Sequence, residues 1–321
     1  MNFCNINQQF SGVIRALLLL AAFMMLSTIS ALADGMEKRI ALTFDDAPRG
    51  DGPFFTGSER TQQLIDALAE AEVTGAMFFV STAQIERRNQ GVNWLKAYVA
   101  AGHHLANHSH THPWLWQSEA DAYLDDIDQA SQVLQQFEGY QPFYRFPYLD
   151  EGRTTAKRDA IRTGLAERGL NHGYVTVDNY DWYMQALVKE AVDAGHAVDR
   201  TALGQVYVEL LMQSIEFYDE IAQEHLHRPV AHVLLLHEND LAALFIDDLV
   251  QALREQGWQI IPAVQAYRDE ISTTLPDTLF NGQGRIAALA HVQGRARREL
   301  VHVSEDEAWL RAEFKRHGLL P

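Results

Sequence analysis

The sequence predicts an α/β fold whose core is a parallel sheet of about seven strands. Short apolar runs recur at 40–44, 76–80, 104–107, 143–146, 173–177, 232–236 and 258–261, each of strand length. Stretches with helical apolar spacing lie between them, which is the alternation that builds parallel sheets. The 321 residues contain no Pro/Gly/Ser-rich linker, low-complexity tract or internal repeat before residue 270, so one large domain is the simplest organisation. A closed or nearly closed barrel fits this pattern as well as an open sheet. In either case a ligand site belongs at the carboxyl ends of the strands.

The first element reads as an export signal. Arg15 is the only charge in the first 33 residues and precedes an apolar stretch over 16–25; Ala31, Leu32 and Ala33 then supply a small-residue cleavage site. That stretch is short for a membrane span. The expected organisation is therefore a signal peptide over 1–33, a barrel over 34–275 and a partly helical extension over 276–321, in a protein that is periplasmic or secreted. The only cysteine, Cys4, leaves with the signal, so neither disulfides nor thiol chemistry is expected in the mature chain. The net charge of −17 becomes about −18 on cleavage, a poor surface for nucleic acid or anionic lipid.

The helices follow from spacing and caps. Leu64, Ile65, Leu68 and Ala71 share one face, with Ser58 as the expected cap. Ser118 opens a second helix with the stripe Tyr123, Leu124, Ile127 and Leu134. Helices over 155–168 and 241–256 stop at Gly169 and Gly257. The connection 183–230 holds two helices, 183–194 and 201–225, more than one crossover needs. Its surplus is expected to wall one side of the site and to favour short chains or chain ends. In the tail, Ser304 starts a helix ending near Gly318, and Arg295, Arg297 and Arg298 read as a solvated basic face.

Chemistry-bearing residues gather where the strands should end. Asp45 and Asp46 follow the first apolar run, and successive strand residues point to opposite faces, so both cannot continue one buried row. His108, His110 and His112 follow the third run. A helical turn after residue 108 puts His108 and His112 on one face, whereas an extended chain aligns all three; Pro113 favours the bend and hence His108 with His112. Two imidazoles with one carboxylate suit zinc and leave a position open to water. Arg145 can hold a carboxylate ionised, and the backbone N–H of Tyr148, after the rigid Pro147, is a candidate oxyanion donor. Asp178, Asp181 and Trp182 follow the fifth run, and His237 ends the sixth. An Asp paired with that imidazole would raise its pKa and suit it to protonate a leaving group.

These five motifs, in this order from Thr43 to His237, resemble the polysaccharide deacetylases, metal-dependent carbohydrate esterases acting on chitin, peptidoglycan and chitooligosaccharides. The resemblance extends to about Tyr267. It implies a distorted (β/α) barrel of about seven strands and a hydrolase that removes N-acetyl groups from amino-sugar glycans. It implies Asp45 as general base and Asp46, His108 and His112 as ligands of one divalent ion, most simply Zn2+, with Co2+ or Ni2+ as alternatives. Arg145 would hold Asp45, Tyr148 would help stabilise the oxyanion and bind substrate, and Asp181 would tune His237 as general acid. Trp182 and Leu235 would line the pocket for the acetyl methyl. The expected partner is an acetylated glycan or oligosaccharide. Hydrolysis of an acetyl ester or a small non-sugar amide is the alternative activity, and a non-catalytic sugar-binding protein would lack one of these residues. Ala47 stands where many members have glycine, and neither 183–230 nor the tail after Glu270 follows the family pattern.

Overall fold

The structure, a computed structural model, describes residues 37–321; the expected signal segment lies outside them. Strands β1 (Arg39–Ala47), β2 (Met77–Val80), β3 (His104–Asn107), β4 (Tyr140–Tyr144), β5 (Asn171–His172) and β6 (Ala231–His237) form a sheet in the order β5-β4-β3-β2-β1-β6. The last strand, β7 (Gln259–Ile260), pairs with the start of β1, and every pairing is parallel. Helices cover the sheet, so β1 and β6 are buried on both faces. Ile40, Ala41, Leu42 and Phe44, and Val233 to Leu236, are accordingly near-continuous apolar runs.

The sheet curls into a distorted barrel, closed by a single bridge between Val177 and Leu234. The strand expected at 173–177 is split. Residues 171–172 pair with β4, whereas Thr176 and Val177 both donate to the carbonyl of Val233. Between them the ladder positions are taken by other groups. Gly173 gives its carbonyl to the Arg145 guanidinium, Tyr174 to the Tyr267 hydroxyl and Val175 to the Arg285 N–H. These three carbonyls thus find partners, but the partners are not a neighbouring strand. The fourth strand also begins three residues earlier than the expected 143–146.

The helices correct several caps. Helix α1 (Gly57–Glu70) is capped by Thr56, not Ser58, in a reciprocal box with Glu59. Two helices unmarked by caps follow β2, α2 (Ala83–Arg87) and α3 (Gly91–Ala100), the latter burying Leu95 and Tyr98. Helix α4 (Ala120–Leu134) starts after Glu119 without a side-chain cap, because the Ser118 hydroxyl donates instead to the carbonyl of Trp114. Helices α5 (Thr155–Glu167) and α8 (Asp240–Glu255) fall within a residue of their expected spans.

The long connection is helix α6 (Asp181–Asp193) and helix α7 (Arg200–Leu226), whose 27 residues span about 40 Å. Only α6 reaches the candidate site. Helix α7 packs on α8 and on α10 (Gly284–Val292) and contributes no residue to the site cavity, so most of the surplus is scaffold. After β7 come the short α9 (Ala263–Ala266), then α10 and α11 (Glu307–Arg316). Ile286, Leu289, Leu300, Leu310 and Phe314 are buried in the same core as the barrel strands.

Helix α11 starts at Glu307 with Asp306 as its cap, three residues after the expected Ser304. In the basic cluster Arg297 and Arg298 are exposed, as a solvated face requires, whereas Arg295 is half-buried and pairs with Glu224. Ser304 and Glu305 are buried, and Glu305 accepts from the Tyr218 hydroxyl at 2.7 Å. Its carboxyl meets that of Asp178. Burial pushes Glu305 up to about 7, despite hydrogen bonds from Tyr218 and the His302 N–H. Burial, then the charge of Glu305, pushes Asp178 well above the usual carboxylate range.

Both acids keep protons in the folded chain at pH values where the unfolded chain has released them. Stability therefore falls as pH rises between about 4 and 7. The expected result for Glu305→Gln is a flatter dependence of Tm on pH from 5 to 8, with its largest gain over the parent at the alkaline end. Parallel Tm curves for the two proteins would contradict this assignment.

Candidate metal and catalytic centre

Two adjacent acids face one cavity because β1 is irregular at its end. Asp45 is still in register with His237 of β6, but the pairing with β2 shifts between Phe44 and Ala47, and Asp46 adopts a left-handed φ of 69°. That irregularity breaks the in-out alternation. Asp45 is buried, where its Oδ1 accepts from Arg145 Nη1 at 2.6 Å. Asp46 turns instead toward the loop after β3. Burial alone would raise the Asp46 carboxyl, but His112, Arg49, His237 and His108 together hold it well below the usual range.

The loop after β3 is pinned by side chains. Asn107 accepts from the Ser109 N–H, Asp126 of α4 accepts from the N–H groups of His110 and Thr111, and the Ser109 hydroxyl accepts from the His112 N–H. Ser109 and His112 both have positive φ, at 70° and 60°. Such conformations are uncommon for non-glycine residues, and these hydrogen bonds hold them. The turn directs His108 and His112 to one side. His110 points away, between Thr82 Oγ1 and Gln129 Nε2.

Asp46, His108 and His112 form a cluster whose ligand atoms lie within 4.8 Å of one another. His112 Nε2 is 3.4 Å and His108 Nε2 3.8 Å from Asp46 Oδ1. His108 Nδ1 is 2.9 Å from the Arg145 carbonyl, which can only accept, so Nδ1 carries the proton and Nε2 keeps its lone pair toward Asp46. Burial, then His108, pushes the His112 imidazole down to about 4 despite Asp46, so it is neutral at pH 7. Two imidazoles and one carboxylate are the donor set of an open divalent-metal site.

Around this cluster stand two pairs. Arg145 is fully buried and satisfied by Asp45, Thr43 Oγ1, the Gly173 carbonyl and the Tyr267 hydroxyl, with Phe79 against its face at 3.8 Å. Opposite, His237 Nδ1 is 2.6 Å from Asp181 Oδ1, and Asp181 Oδ2 accepts from the His237 N–H and from Asn239. Burial would push the His237 imidazole down, but Asp181, with Asp46 and Asp45, holds it above its ordinary value. The residue after it, Glu238, is buried against Arg60, Tyr98 and the Arg49 N–H, which fixes the end of β6.

The cavity between the pairs has a volume of about 550 Å³ and is lined by Asp45, Asp46, His108, His112 and His237, with Tyr148, Trp182 and Leu235 on its walls. Arg145 and Asp181 sit behind as partners. Sequence reasoning missed Tyr267, Asp126, Asn239 and the Glu238–Arg60–Tyr98 group. None carries a local signal beyond a polar residue in or beside an apolar stretch.

A parallel α/β barrel with a His2Asp cluster at its strand ends defines the class. Residues 33–168 match the family model described as Polysaccharide deacetylase. A peptidoglycan-N-acetylglucosamine deacetylase of Bacillus cereus is 31% identical over 113 residues, 35% of this chain and 37% of that protein. A chitooligosaccharide deacetylase of Rhizobium leguminosarum bv. trifolii is 34% identical over 98 residues, 30% of this chain and 40% of that one. The chain thus aligns with less than half the length of either relative. Among solved structures, a mutant of a CE4 family pseudoenzyme with restored enzymatic activity shares the fold at a TM-score of 0.50 and 19% identity, covering 70% of this chain and 66% of that one.

Proposed function

We propose that this protein is a divalent-metal-dependent hydrolase that removes N-acetyl groups from an amino-sugar oligo- or polysaccharide, releasing acetate. One observation carries the reading: the His2Asp cluster shares a single cavity with an Arg-held carboxylate on one side and an Asp-held imidazole on the other. Asp46, His108 and His112 would hold the ion, Zn2+ fitting two imidazoles best. When bound, the ion supplies Lewis acidity, which lowers the pKa of water and polarises an amide carbonyl.

The chain's own groups do the rest. Arg145 occupies Asp45 Oδ1 and leaves Oδ2 on the cavity side, 3.6 Å from His108 Nε2, to take the proton of an attacking water. The water oxygen bonds to the carbonyl carbon, and the Tyr148 N–H stabilises the oxyanion. Asp181 holds one proton of the His237 imidazolium at Nδ1, so the second, on Nε2, faces the cavity and passes to the amine nitrogen as the C–N bond breaks. Leu235 and Trp182 make an apolar wall against the acetyl methyl. The names of the two relatives support an amino-sugar substrate, and the expected signal at 1–33 supports action outside the cytoplasm. Among the described residues no helix is long and apolar enough to cross a membrane.

The test is acetate release by metal-loaded protein from N-acetylglucosamine oligomers, peptidoglycan fragments, acetylated xylan and small cyclic amides. Release from the N-acetyl sugars in clear excess is expected. Turnover confined to the xylan ester or the cyclic amides would overturn the substrate class.

A further inference from the structure

Among the described residues, the exposed large apolar side chains include four aromatics, Trp114, Trp116, Tyr148 and Trp182. All four lie at or beside one cavity. Tyr148 and Trp182 line it, and Tyr148 stands edge-on to His112 with ring centroids 4.7 Å apart. Trp114 stacks on Tyr148 at 4.7 Å, and Trp116 meets Trp114 edge to face at 5.8 Å. The rings therefore form a continuous shelf running outward from the histidine cluster. They are 37%, 41% and 54% exposed at Trp114, Trp116 and Tyr148, a large apolar area left in water without offsetting burial.

The loop that carries the two indoles is held in place. Leu115 between them is fully buried, the Trp116 N–H donates to Asp150 at 2.9 Å, and Lys157 Nζ donates to the carbonyl of Ser118 at 2.6 Å. Arg153 lies over Trp116 at 4.6 Å and braces its ring. A rigid backbone thus holds two tryptophans in solvent that could otherwise fold inward. Preorganised aromatic surface of this kind binds with little ordering cost.

We propose that Trp114 and Trp116, continuing from Tyr148, are a binding subsite for the pyranose rings of the glycan chain beyond the sugar being deacetylated. The axial C–H groups of a pyranose make an apolar, weakly positive face that matches the π-face or rim of an indole. The edge of the shelf also carries the Arg153 guanidinium, whose N–H groups suit ring hydroxyls. This subsite rests on the amino-sugar reading above and gives the site a preference for longer chains, opposite to the length preference expected from the 183–230 connection.

The test compares N-acetylglucosamine oligomers from dimer to hexamer. Parent protein is expected to show kcat/KM rising with length, and Trp114→Ala and Trp116→Ala to lose most of that rise, about tenfold on the hexamer and mainly through KM. Trp116→Phe keeps a ring and should restore most of it, which separates loss of stacking from misfolding. A second arm titrates metal-loaded Asp45→Asn protein with the hexamer and follows tryptophan fluorescence, with and without Trp116→Ala, so the subsite is read even where no acetate is released. Equal length dependence in parent and Ala variants, or no fluorescence change with any oligomer, would overturn the proposal. Absence of acetate release from every oligomer by parent protein, with the fluorescence response intact, would instead sink the deacetylase reading and leave the subsite standing.

Discussion

His112→Ala is expected to lose both bound metal and acetate release, the latter on the order of a hundredfold or more. With only Asp46 and His108 left of the three ligand atoms, the ion has too few donors for tight binding. Asp46→Ala and His108→Ala should behave alike, since each removes one third of the same set. His110→Ala is the control within the same hexapeptide. Its ring is turned to Thr82 and Gln129, so its loss costs stability, about 1–3 kcal/mol for one buried and one part-buried hydrogen bond left unmade, while metal is retained. Metal analysis of the purified variants with thermal melts separates the two effects. A His110 variant that lost its metal while the His112 variant kept it would reverse the assignment.

Asp45→Asn and His237→Ala should keep metal and still slow turnover on the order of a hundredfold or more, the range for losing a general base or acid. The physical separation is clear at Asp45, which the Arg145 guanidinium holds from the side away from the cluster. Asparagine preserves shape there but leaves Arg145 with a neutral partner, so a modest loss of stability accompanies the loss of rate. At His237 the expectation is sharper. The Asp181 carboxylate would be left buried without its imidazole, still bonded to Asn239 and the backbone N–H of residue 237. Near-normal turnover in either variant, at full metal occupancy, would remove the role proposed for that residue.

The candidate site was legible in the sequence where polar residues sit on a strand end. Asp45 and Asp46, the 108–112 histidines, Arg145, Asp181 and His237 each interrupt or follow an apolar run, and a polar residue in that place must meet something polar. A bend near Pro113 was readable, but the chain makes it with left-handed residues at Ser109 and His112 and not with the helical turn expected after residue 108. The partners that hold these groups were not readable. Tyr267 reaches Arg145 across 122 residues, and Glu238 reaches Arg60 across 178, contacts set by barrel closure and unmarked by any local spacing. Asp126 lies on a helix whose stripe predicts only its buried face.

The fold shows the same division. Buried parallel strands announce themselves as apolar runs, so β1, β2, β3 and β6 appear close to where they were expected. The 173–177 segment misled because its composition suits a strand while its hydrogen bonds go to Arg145, Tyr267 and Arg285. At α7, amphipathic spacing identified a helix but could not say which neighbour it covers.

The central claim, that one metal cluster and its flanking pairs hydrolyse an N-acetyl group, is tested most directly by titrating chelator-stripped protein with Zn2+ while measuring acetate released from N-acetylglucosamine oligomers. The account predicts release that climbs linearly to one equivalent in the parent protein. Asp45→Asn, binding the same single equivalent, should stay near background. Release indifferent to Zn2+, or an Asp45→Asn protein that climbs with the parent, would contradict it.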